Sequence, residues 1–125
     1  MTIKPLKGSC HCGQVKFEVL TQPRDARRCD CSLCRRKGAV MFTASADEFE
    51  LVAGEDNLKL YQWNSMAARH YFCKTCGIYT HNWRRSAPEF GYNSGCLENF
   101  DLSTLVNVPT GLGSKLSVVE SSKHK

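Results

Sequence analysis

Cysteine placement limits what this chain can fold into more than any other feature. Seven of its eight cysteines lie in three short groups: Cys10-His11-Cys12, Cys29-Asp30-Cys31-Ser32-Leu33-Cys34 and Cys73-Lys74-Thr75-Cys76. In extended chain, residues i and i+2 face the same side. Cys10 with Cys12, and Cys29 with Cys31, can therefore each aim two sulfurs at one ion. The pair Cys73 and Cys76, followed by Gly77, has the form in which a tight turn brings both sulfurs and nearby amides together. Seven sulfurs fill one closed four-coordinate zinc site and leave three for a second site with an open position. Closed sites hold folds together, whereas an open position admits a substrate. The simplest division by spacing makes Cys10, Cys12, Cys73 and Cys76 the four-sulfur set, closing a loop of about 60 residues much as a disulfide would. Cys29, Cys31 and Cys34 form a local triad. Two zinc ions per chain are expected, one structural and one catalytic, with iron as the alternative for an all-thiolate site.

Eight cysteines would also suit a disulfide-stapled secreted domain. Two observations oppose this. Residues 1–7 lack the apolar stretch of a secretory signal, and cysteines two apart cannot pair without strain. A reducing, cytoplasmic setting is expected, where cysteine-dense chains more often hold metals. No run approaches the roughly 20 apolar residues of a membrane span, so no membrane partner is expected. The net charge of +5 counts every cysteine as neutral; seven thiolates with two Zn²⁺ ions would bring it to +2. Much of the basic excess thus offsets thiolate charge, and a nucleic-acid partner is not required.

At 125 residues the chain is expected to be one domain, 1–125, with a polar, frayed tail from about 120 that includes His124. Val15, Phe17 and Val19 alternate with polar residues, the period of a half-buried strand. Further strands are expected over 39–44, 49–53, 58–63, 67–72, 78–83 and 90–93. The turn signal Gly54-Glu55-Asp56-Asn57 suggests that 49–53 and 58–63 form a hairpin, and Asn64-Ser65 punctuates again. Helix is confined to a turn after Cys31 and another near 102–105. The fold class is all-β, mainly antiparallel.

Three thiolates make zinc a poor activator of water, but a good holder of a further sulfur. A thiol substrate therefore suits the triad better than hydrolysis does. The His-x-Glu and Pro-Cys-x-x-Cys signature of zinc deaminases is absent.

The strings Gly8-Ser9-Cys10-His11-Cys12-Gly13-Gln14-Val15, Cys29-Asp30-Cys31-Ser32-Leu33-Cys34-Arg35-Arg36 and Tyr71-Phe72-Cys73-Lys74-Thr75-Cys76-Gly77 resemble the glutathione-dependent formaldehyde-activating enzyme family, which includes relatives of centromere protein V. Asn93-Ser94-Gly95-Cys96-Leu97-Glu98 is similar to a further family stretch, Asn-x-Gly-x-Leu-Asp. Asp30 departs from the histidine common at its position, and the chain is shorter than the enzyme that names the family. The resemblance implies a β-tent fold of small sheets around two zinc ions. It implies a structural zinc on Cys10, Cys12, Cys73 and Cys76, and a catalytic zinc on Cys29, Cys31 and Cys34. The implied activity joins formaldehyde to glutathione, a carbon–sulfur lyase reaction run in reverse. A non-catalytic zinc module and a thiol carrier are the alternatives.

Cys96 is expected either to be a buried small residue or to modulate the open site. His11, His70 and His81 are expected to pack or bond locally. Arg27, Arg28, Arg35, Arg36 and Lys37 flank the triad, either as solvated charge or to grip substrate carboxylates, with Arg84 and Arg85 as an extension. Trp63, Trp83, Tyr71 and Phe72 are expected in the core or in pocket walls.

Overall fold

The computed structural model describes residues 4–29, 31–62, 66–84 and 88–111. Expectations for Asp30, Trp63, Asn64, Ser65, Arg85 and the tail with His124 lie outside the described residues.

The chain opens with β1 (Leu6–Ser9) and β2 (Lys16–Val19), an antiparallel pair in which Gly8 faces Phe17. A side chain at Gly8 would overlap the Phe17 ring, so the hairpin closes only with glycine there. Next come the two-residue β3 (Arg28–Cys29) and one short helix, α1 (Ser32–Lys37). The strands β4 (Met41–Ser45), β5 (Phe49–Ala53), β6 (Leu58–Tyr61), β7 (Arg69–Cys73), β8 (Tyr79–Trp83) and β9 (Glu89–Asn93) follow. The last described element is β10 (Thr110–Gly111), parallel to β3.

Among the described residues there are three sheets: β1-β2-β5, the pair β10-β3, and the five-stranded β4-β9-β8-β7-β6. Apart from β10-β3 every pairing among the described strands is antiparallel. The all-β class with little helix is as the sequence implied. The hairpin between 49–53 and 58–63 is not. β5 pairs with β2, and β6 pairs with β7 in a different sheet. Gly54, at φ 85°, and the 3-10 turn Glu55–Asn57 redirect the chain from one sheet to the other. A Cβ at Gly54 would collide with the backbone of Gln14, so this crossing also packs on the first cysteine loop.

The main core lies between the two larger sheets. Phe17, Val19, Phe42, Ala44, Phe49, Tyr92, Cys96 and Leu97 are buried in it. Alternation on β2 explains its share, since Phe17 and Val19 point inward while Lys16 is exposed. Phe49 stacks between Phe17 and Phe90, with ring centroids 5.1 and 4.7 Å away. A second small cluster comprises Cys10, Val15 and Cys73. Trp83 packs edge-on against Phe90, and Tyr71 stacks on the buried His81 at 4.7 Å.

Candidate metal centres

Cys10 follows β1 directly and begins a tight loop. Its amide donates to the Val15 carbonyl at 3.0 Å, and the Val15 amide donates back to Cys10 Sγ at 3.3 Å. Cys73 ends β7, and the chain reverses there: the Gly77 amide donates to the Cys73 carbonyl at 2.9 Å. Gly77 adopts φ 77°, a conformation suited to glycine. These two loops meet. Cys12 Sγ lies 3.6 Å from both Cys10 Sγ and Cys73 Sγ, and Cys76 completes the group. Asn57 braces it, donating from Nδ2 to Cys73 Sγ and to Thr75 Oγ1, both at 3.1 Å. The Gln14 amide reaches Thr75 Oγ1 at 3.4 Å, linking the two loops again.

The second group is local. Cys29 ends β3, whose approach is fixed by paired backbone bonds of 2.9 Å between Arg27 and Met41. Cys31 is the N-cap of α1, its sulfur accepting from the Cys34 amide at 3.3 Å. The thiol thus takes the capping role usually given to serine or aspartate. One helical turn then carries Cys34 back beside it, and Gly38 in the left-handed region closes the helix.

Within each group the sulfurs lie within 4.8 Å of one another. Zinc–sulfur bonds of about 2.3 Å in a tetrahedron place sulfurs about 3.8 Å apart, so the 3.6 Å separations around Cys12 fit such an ion. Contact with Cys29, then with Cys31, and then burial push the Cys34 thiol far above the ordinary range. Three adjacent thiolates repel one another, and a cation beside them favours their charged forms. In the other group, burial raises the Cys76 thiol, but the amides of Cys12 and Ile78 together with the Cys73 and Cys10 sulfurs outweigh it and bring the thiol down to about 6. Each group could hold a metal ion, and no disulfide joins any of the eight cysteines.

Cys96 belongs to neither group. It is buried, with its thiol pushed up to about 12, first by burial and then by Cys10 and Cys76. None of His11, His70 or His81 joins a sulfur group: His11 is exposed, and His81 Nδ1 sits 2.9 Å from Thr80 Oγ1. Arg27, Arg28, Arg35 and Arg36 are exposed around the triad. Arg84 does not extend them. It donates to Glu89 at 2.8 Å and to Thr43 at 2.7 Å, and only 12% of its side chain is exposed. Two internal acceptors thus hold the guanidinium that the sequence suggested for substrate.

The residues that sequence reasoning left unconnected are Lys37, His70 and Tyr79. Lys37 Nζ lies 3.3 Å from His70 Nδ1, and that nitrogen is 3.2 Å from the Tyr79 hydroxyl. Burial pulls the Lys37 ammonium below the ordinary lysine range, opposed by attraction to Cys34, Cys31 and Cys29. No spacing rule joins residues from α1, β7 and β8.

No described helix is long and apolar enough to cross a membrane. A crystal structure of a Rhodobacter sphaeroides protein is 51% identical and superposes with a TM-score of 0.78, covering 83% of this chain and 98% of that one. A Halomonas elongata protein named "putative glutathione-dependent formaldehyde-activating enzyme" is 38% identical over 81 residues, 57% of this chain. The matched stretch spans about half (51%) of that curated relative's length. Residues 5–107 match the family described as glutathione-dependent formaldehyde-activating enzyme, with both cysteine groups inside the match. The chain belongs to the glutathione-dependent formaldehyde-activating enzyme family.

Proposed function

We propose that the chain is a single-domain, zinc-dependent carbon–sulfur lyase, working in a reducing cytoplasm on the adduct of a small thiol with formaldehyde. Cys10, Cys12, Cys73 and Cys76 hold a structural zinc, while Cys29, Cys31 and Cys34 hold the catalytic one. The observation that carries this reading is the separation of a three-sulfur group from a four-sulfur group. Four sulfurs complete a tetrahedral shell and three leave one position open.

A zinc ion bound by the triad would hold an incoming thiol as thiolate. The protein residues supply position and charge. Cys31 fixes the start of α1, so that Cys34 stays in register with Cys29. The exposed Arg28, Arg35 and Arg36 offer guanidinium groups to substrate carboxylates such as those of glutathione. Holding thiol and aldehyde together converts a bimolecular encounter into an effectively unimolecular one. The addition places the thiol sulfur on the carbonyl carbon and the thiol proton on the oxygen.

The test mixes purified protein with formaldehyde and glutathione and follows S-hydroxymethylglutathione by exchange NMR against a protein-free control, with zinc counted per chain. Faster adduct exchange at two zinc ions per chain supports the reading. Tight thiol binding without acceleration would mark a carrier instead.

A further inference from the structure

Beside the three-sulfur group lies a polar cluster that the account of the addition leaves unused. Lys37, the last residue of α1, folds inward, whereas Arg35 and Arg36 on the same helix are exposed. Its Nζ stands 3.4 Å from the centroid of the Tyr79 ring and 3.3 Å from His70 Nδ1. An ammonium can only donate, so Nδ1 is an acceptor, and its single lone pair is shared between the ammonium and the Tyr79 hydroxyl 3.2 Å away. The His70 proton then sits on Nε2. Burial, then Lys37, draws His70 down to about 4, so its ring is neutral near pH 7. Tyr79 is held from its other end, where its carbonyl accepts from Asn93 Nδ2 at 2.8 Å and from Cys96 Sγ at 3.8 Å. Asn93 also caps the 3-10 turn Ser94–Cys96, so this turn keeps Tyr79 in place.

A counter-charge for thiolates needs none of this. The exposed arginines already supply positive charge without losing their hydration. Setting an ammonium on an aromatic face and against a neutral imidazole gives up hydration, in return for one fixed direction. A fixed donor beside a reacting centre is worth most where negative charge develops during the reaction.

We infer that Lys37 is a catalytic residue of the three-sulfur site, its ammonium receiving the aldehyde oxygen as that oxygen becomes negative, with His70 and Tyr79 as positioning residues. This rests on the carbon–sulfur addition proposed above. In that addition a sulfur electron pair forms the C–S bond and the C=O π pair moves onto oxygen. The oxygen then takes up one proton, matching the one the thiol gave up, so no oxidant or reductant is needed. Lys37 stabilises the oxygen between those two events.

The test compares the zinc-loaded wild-type protein with Lys37→Met, Lys37→Arg and Tyr79→Phe, using formaldehyde and glutathione as probes. Lys37→Met is expected to lower kcat about 100-fold, with the KM for glutathione, the zinc content per chain and the thermal melt unchanged. Lys37→Arg should recover part of that loss. Tyr79→Phe keeps the ring beneath the ammonium and should cost about 10-fold in kcat, again at full zinc content. A Lys37→Met protein with wild-type kcat would overturn the inference. So would a loss of zinc in step with activity, which would make Lys37 a counter-ion only. If Lys37→Met does not fold, an unaltered kcat in both Lys37→Arg and Tyr79→Phe overturns it instead. A wild-type protein that fails to accelerate the reaction refutes the lyase reading itself, a result distinct from any of these.

Discussion

The two sulfur groups are built from the same ligand but held in opposite ways. The four-sulfur group joins distant parts of the chain, with Cys12 and Cys73 61 residues apart, and neutral donors brace it: the Val15 amide and the Asn57 side chain. The three-sulfur group comes from one short loop and the first turn of α1, and a lysine ammonium lies against it. A long loop closed by metal would restrain the whole chain, so an ion on the first group would bear on folding. A metal on the local triad would restrain little beyond its own turn. Position in the chain is what would separate the two proposed roles, because the donor atoms are alike.

The largest expected effect comes from Cys73→Ser. Structural zinc sites of this kind contribute about 10 kcal/mol or more of apparent binding free energy, comparable to the stability of a whole domain. The variant should lose its cooperative thermal unfolding transition. A melt like that of the wild type would erase the contrast between the groups. Cys34→Ser should do the reverse, removing turnover and one zinc equivalent while the thermal transition stays within a few degrees. Graded chelation sharpens the comparison without mutation: activity is expected to disappear before the melt changes, as followed by parallel assays on one titration. Asn57→Ala removes a donor to a sulfur that would carry charge, and should cost about 2 kcal/mol in a urea titration while leaving kcat unchanged.

The smallest effect lies outside both groups. The hydrogen bond from Arg24, helped by the Ser45 amide, holds the Glu48 carboxyl at about 2, below its ordinary 4.5. A depressed carboxyl stabilises the fold above its unfolded value, and loses that contribution as pH falls from about 4.5 toward 2. Because 39% of the Arg24 side chain is exposed, the effect should stay below about 1 kcal/mol. Comparing acid denaturation of the wild type and Glu48→Gln by circular dichroism isolates it: the two should converge at the acid end.

How much was legible in the sequence depended on the range of the interaction. Strand β2 was visible because alternation is imposed by the chain itself, and Phe17 and Val19 obey it. β5 was also visible, over the same residues 49–53, yet its partner was not. Turn residues at 54–57 suggested a hairpin, whereas pairing with β2 buries Phe49 against Phe17, a gain that local turn chemistry cannot register. β1, β3 and β10 escaped notice, being short segments that the neighbouring strand defines more than their own composition does.

The triad could be read directly as a group, since Cys29, Cys31 and Cys34 are close in sequence and clustered cysteines suit a metal ion. The same chemistry marked Cys10, Cys12, Cys73 and Cys76, although their meeting depends on the fold. Lys37, His70 and Tyr79 carry no such mark. Each is ordinary alone, and Lys37 and His70 lie 33 residues apart. Sequence by itself thus determined the two cysteine sets and the β class, because these follow from side-chain chemistry and local periodicity. Only the tertiary structure decided which strands pair, which arginine is tied down by Glu89, and which cation faces the sulfurs, because those outcomes depend on contacts between segments that no local rule connects.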